Sequence, residues 1–185
     1  RAVALILLLL LSAAPMVPAA IGAAPRSTTV WSGTVVLQDG YTVESGDILV
    51  VQSGTTIQLG DDETILVAGR LTMQGTTTAP VLLESIVGNH DGIVFNSSSN
   101  GLGSKIENLT IIDAEYGVTV YGSNPTLNDL TVVNADRVAV DLFDSASPRI
   151  NDLVIDGGGQ DVHGFSTSWR YGIGLSVGAY SAPIV

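Results

Sequence analysis

Asp161, His163, Trp169, Arg170 and Tyr171 lie close together in one stretch of this chain. Carboxylate, imidazole, guanidinium and aromatic rings in one loop supply what a sugar ligand needs. The polar groups meet its hydroxyls, and Trp169 or Tyr171 can stack on a pyranose ring. A second group, Asp113, Glu115 and Asp136, falls in the short turns 113–116 and 134–137. Carboxylate oxygens on adjacent turns are the donors that Ca2+ takes. Three readings stand side by side: a solvated loop over a polar column of turns, a sugar-binding face, and a Ca2+ site. Catalysis has less to build on. Glycoside hydrolysis wants paired carboxylates across a cleft. β-Elimination from a uronate wants a base such as Arg137 or Arg170 beside Ca2+, and no motif singles either out. Asp61-Asp62-Glu63 reads as an acidic turn. His90 and Asp91 are neighbours whose side chains a strand would send to opposite faces. Asn96-Ser97-Ser98 and Asn108-Leu109-Thr110 fit the glycosylation sequon, with Asn108 doubling as a bend residue.

The elements that position these residues are legible as a repeat. Ile106-Glu107-Asn108-Leu109-Thr110-Ile111 recurs as Leu127-Asn128-Asp129-Leu130-Thr131-Val132, and again as Ile150-Asn151-Asp152-Leu153-Val154-Ile155, at steps of 21 and 23 residues. Ile106 and Leu109 are three apart, as are Leu127/Leu130 and Ile150/Leu153, so strict alternation would put them on opposite faces. A sharp bend between them returns both to the inside. The bend residues are Asn108, Asp129 and Asp152, types that tolerate the left-handed conformation. A later strand follows each bend: 117–120, 138–140 and 172–175. Ile106 to Val118 is 12 residues and Leu127 to Val138 is 11, but Ile150 to Ile173 is 23. The difference is an insertion within 157–170, and insertions in solenoids leave the stack as loops on one face. Upstream, short β-like runs at 34–37, 41–43, 47–51, 55–59, 64–67 and 71–73 are punctuated by Gly or Asp, and no window keeps a helical period. The fold expected is all-β, a parallel β-helix of about 21–25-residue coils with ladders of Ile, Leu and Val inside. The Leu-x-x-Leu-x-Val core also fits a leucine-rich repeat. The strand-like second half of each unit favours the β-helix.

The formal charge of −11, from 18 acidic and 7 basic residues, leaves no cationic footprint for nucleic acid. With no cysteine there is no disulfide, zinc-thiolate site or thiol nucleophile. Residues 2–11 are an unbroken apolar run, followed by Ser12, Pro15, Pro18 and small residues. That is the pattern of a signal peptide over 1–23, with a retained membrane anchor as its rival. Residues 24–30 read as a linker and 31–185 as the solenoid. Ser181-Ala182-Pro183-Ile184 resembles the lead-ins Ser123-Asn124-Pro125-Thr126 and Ser147-Pro148-Arg149-Ile150. The chain is therefore expected to be the N-terminal part of a longer protein, truncated within the solenoid. An open terminal coil is expected to associate end to end, since unpaired edges recruit strands.

Three copies of apolar-x-(Asn/Asp)-Leu-x-apolar, the Ser/Asn-Pro lead-ins, and Tyr116-Gly117-Val118-Thr119-Val120 carry a resemblance over about 31–185. So do residues 69–76 with Ala79-Pro80-Val81. The chain resembles the right-handed parallel β-helix repeat proteins of the pectate-lyase-like superfamily. The resemblance is specific for fold and poor for activity, because that superfamily spans lyases, hydrolases, epimerases, adhesins and stalk-like surface proteins. The expectation is a secreted or cell-surface scaffold or adhesion module, contacting polysaccharide. The alternative is a polysaccharide lyase or glycoside hydrolase.

Overall fold

The computed structural model describes residues 27–158, 173–178 and 180–185. The expected signal peptide and the candidate ligand residues Asp161, His163, Trp169, Arg170 and Tyr171 lie outside the described residues.

The chain winds as a parallel β-solenoid of about six turns. The first three rungs hold β1 (Thr28–Trp31), β2 (Thr34–Leu37) and β3 (Tyr41–Val43), then β4 (Ile48–Val51), β5 (Thr56–Leu59) and β6 (Ile65–Val67), then β7 (Arg70–Met73), β8 (Val81–Ser85) and β9 (Ile93–Phe95). The later rungs hold β10 (Lys105–Ile112) and β11 (Tyr116–Tyr121), β12 (Thr126–Ala135) and β13 (Val138–Phe143), and β14 (Arg149–Gly158) and β15 (Ile173–Val177). Every pairing between these strands is parallel. β3, β6, β9, β11, β13 and β15 form a six-stranded sheet, and the other strands form a nine-stranded one. The only helical element among the described residues is a 3₁₀ turn, Ser97–Ser99, whose cap Asn96 accepts from the Ser98 amide. β1 takes up residues 28–30, which read as linker. Thr-Thr-Val-Trp is β-branched and aromatic, and Trp31 packs edge-on against Tyr41.

Adjacent rungs are one strand spacing apart, roughly 4.8 Å, so register stacks like on like. Ile57, Leu83, Ile111 and Val132 form one column, Val81, Leu109 and Leu130 a second, and Ile65, Ile93, Val118 and Val140 a third. All are buried. Burying each such side chain contributes roughly 1.5–3 kcal/mol, shared between neighbouring rungs.

The bend gives β10, β12 and β14 their length. Asn108, Asp129 and Asp152 have φ of 46°, 52° and 56°, the left-handed region. The pairing runs Glu107↔Asn128 and then Leu109↔Leu130, so the bend residues drop out of the ladder while the strand continues. In the first three rungs the same corner is a longer turn between separate strands. The two designs meet at Gly75. A Cβ there would lie 2.2 Å from the Asn108 carbonyl oxygen, and the Asn108 amide donates to the Gly75 carbonyl at 3.2 Å. Both sequon asparagines thus have structural partners in the backbone.

Candidate functional site

The outer face of the six-stranded sheet gathers polar and aromatic side chains around a groove. Val118, Val120, Val140 and Leu142 point into the core. Alternation therefore sends Thr119, Tyr121, Asp141 and Phe143 outward. Register places Val94, Thr119, Asp141 and Ser176 in one row across four rungs, and Tyr121 beside Phe143. The two rings stack, with centroids 5.0 Å apart and planes at 13°. Asp91 and Tyr116 close the other side of a groove of about 320 Å³, lined also by Val94, Thr119, Tyr121, Asp141 and Phe143. That lies within the range of small-ligand sites, about 300–1,000 Å³.

Two carboxylates in this groove are incompletely satisfied. Asp141 is only 4 % exposed, and its Oδ1 has no hydrogen-bond partner among the described residues. The same holds for Oδ1 of Asp91. Burial raises the Asp91 carboxyl to about 6, helped by the charges of Glu115, Asp62 and Glu63 and opposed by Arg137. Burial also raises the Tyr121 hydroxyl, with the Asp141 charge adding to it. An unpaired buried acceptor costs about 1–3 kcal/mol, more when charged. Both unpaired oxygens are themselves buried, on carboxylates that line the groove.

Arg137 is committed beside the groove. It pairs with Glu115, donates to the Tyr116 hydroxyl at 3.2 Å, and lies 5.7 Å from the centre of that ring. His90 is fully buried. Its Nδ1 accepts from the Gly92 amide at 2.9 Å, so Nε2 carries the proton and donates to the Ile112 carbonyl at 3.2 Å. Burial lowers the imidazole to about 4. His90 and Asp91 therefore do not act as a pair. His90 fixes the turn from inside, and Asp91 faces the groove.

The three carboxylates read as Ca2+ ligands sit in adjacent turns but each turns to its own partner. Asp113 accepts from the Asn134 amide at 3.1 Å, Glu115 pairs with Arg137, and Asp136 accepts from the Asn89 amide. Among the described residues no three His, Cys, Asp or Glu side chains converge as a metal-binding group.

A second, shallower groove of about 280 Å³ follows the bends, between Thr76, Thr110, Thr131, Asp129, Asp152 and Val154. It has no stacked ring pair and no orphaned buried carboxylate.

Asp141 and Phe143 carry no sequence motif. The signal available was an Asp at an outward position of the strand Val-Ala-Val-Asp-Leu-Phe, where flanking apolar residues fix which way it points. Asp91 was visible only as one half of a His-Asp dipeptide.

The solenoid defines the class of protein: a parallel β-helix repeat protein. No protein-family model, no curated protein and no solved structure matches the chain.

Proposed function

We propose that this chain is an extracellular or cell-surface β-solenoid scaffold that contacts glycans with the outer face of its six-stranded sheet. The observation that carries this reading is the groove itself. A stacked Tyr121/Phe143 pair lies beside two carboxylates, each with an unpaired acceptor oxygen. Aromatic faces take the apolar face of a sugar ring, and the carboxylates accept its hydroxyl protons. Export is supported by the apolar run at 2–11 and the small residues after it. Right-handed winding, and kinship with the pectate-lyase-like superfamily, are supported by the strong preference of parallel crossovers for that hand and by the Asn/Asp bend repeat.

The test is retention on a panel of immobilised polysaccharides. The wild-type protein is expected to bind at least one, and Phe143→Ala and Tyr121→Ala to weaken that binding about tenfold, the scale of a lost ring contact. Retention on none of the panel overturns the reading.

The rival reading is a polysaccharide lyase or glycoside hydrolase, with Asp91 as the acid because its carboxyl is held at about 6. Spacing weighs against it. Val94 is in register with Thr119 and Thr119 with Asp141, and Asp91 lies three residues before Val94, so Asp141 stands two rungs and three residues away. At ~4.8 Å per rung and ~3.3 Å per residue, the backbone positions are roughly 14 Å apart. Glycosidase carboxyl groups stand about 5–9.5 Å apart, and two Asp side chains turned toward each other would only just reach the upper end of that range, which favours binding over catalysis. Release of reducing or unsaturated sugar ends from any polysaccharide, lost in Asp91→Asn, would restore the enzyme.

A further inference from the structure

The groove is not merely polar. Its carboxylate walls are Asp91 and Asp141, with Glu115, Asp62 and Glu63 close enough to act on Asp91; among the described residues Arg137 is the one cation that acts against them. Arg137 is already paired with Glu115. Around this lies a chain of net charge −11. A neutral hydroxyl would satisfy an orphaned carboxylate oxygen but leave its charge uncompensated. A polyuronate would bring a like charge to a nearly buried Asp141, which low dielectric makes expensive.

The remaining ligand chemistry is cationic. A protonated amine both donates to the carboxylate and neutralises it. It is also attracted to aromatic faces, which Tyr121 and Phe143 provide at the same end of the groove as Asp141. Building on the glycan reading above, we infer that the groove takes a glycan of amino-sugar units whose amines are free rather than acetylated. Asp91 and Asp141 are too far apart for one ammonium group to reach both. A polymer running along the solenoid axis carries an amine on each ring, so separate units meet the two carboxylates and their contributions multiply.

The decisive experiment is calorimetric titration, in low salt at pH 7, of the full chain with three probes of equal length. These are an oligomer of β-linked glucosamine, its fully N-acetylated counterpart, and an oligogalacturonate. A small free diamine is the fourth arm. The glucosamine oligomer is expected to bind at least tenfold more tightly than the acetylated one, with no binding of the galacturonate. Asp141→Asn is expected to remove that preference, and Asp129→Asn, in the other groove, to keep it. Circular dichroism and thermal unfolding confirm that both variants are folded. Equal affinity for the free and acetylated oligomers overturns the amine inference and leaves the glycan reading standing. Diamine binding as tight as that of the glucosamine oligomer assigns the site to small cations and overturns the glycan part. Binding by none of the probes overturns the amine inference, and the polysaccharide panel then decides the broader reading. A preference that survives Asp141→Asn also overturns the assignment.

Discussion

Asp141 is the residue on which the ligand chemistry turns, and it makes a demand on stability. Its buried Oδ1 lacks a partner, so the ligand-free protein bears a desolvation cost that Asn would reduce. Asp141→Asn is expected to raise the midpoint of thermal unfolding while weakening amine binding, the trade-off of a buried carboxylate that serves binding rather than stability. A fall in the midpoint would show that the carboxylate has a stabilising partner in solution. His90 and Asp91 oppose each other in acid. His90 is lowered from 6.5 to about 4, so its contribution is present above 6.5 and is lost as pH falls from 6.5 to 4, on the order of 3 kcal/mol. Asp91 is raised from 3.8 to about 6, so its penalty is present above 6 and is relieved as pH falls from 6 to 3.8. Between 4 and 6 the two slopes cancel in part. In Asp91→Asn only the His90 slope remains, and urea denaturation is expected to show stability falling more steeply with acid than in the wild type. Parallel profiles would refute the assignment. Little of this was legible in the sequence. Adjacent His and Asp carry no spacing signal, and only the packed turn shows that one is sealed inside while its neighbour faces a groove.

At the scale of elements the sequence was most informative where geometry forces a residue type. The three-residue interval between Ile106 and Leu109 is incompatible with a flat strand, and Asn108, Asp129 and Asp152 supply the left-handed bend that resolves it. Asp129→Asn and Asp129→Gly are expected to change unfolding free energy by well under 1 kcal/mol. Asp129→Val, which places a β-branched residue at φ 52°, is expected to cost about 1–3 kcal/mol in chemical denaturation. Equal effects of Val and Asn would mean that the bend relaxes. The early rungs were legible as short runs broken by Gly and Asp, but not their pairing, because their corners are ordinary turns without a repeated residue. Loops carry function more often than regular strands do, and that points the sequence reading to the inserted loop. That loop lies outside the described residues. The groove among the described residues is built mainly from outward positions of β11 and β13, in a stretch whose sequence looks like plain repeat.

For the whole molecule, stability is a sum over rungs and the interfaces between them. Leu130 sits in the middle of a buried column, and Leu130→Ala is expected to cost about 2–5 kcal/mol. Among the described residues β1, β2 and β3 are each hydrogen-bonded on one side only. Open parallel edges of this kind support end-to-end association, which sedimentation is expected to show as a weight-average mass that rises with concentration. A monodisperse monomer across that range would argue against it. The net charge of −11 acts at this scale too: it is expected to draw cationic polymers to the surface, and salt to slow that step. The most direct test of the glycan-binding account is where a ligand lies on the solenoid. NMR spectra of the labelled protein, titrated with the glucosamine oligomer, are expected to shift at Val94, Thr119, Tyr121, Asp141 and Phe143 and to stay unmoved at Thr110, Thr131 and Val154. Shifts confined to the bend groove, or no saturable shifts at all, would contradict it.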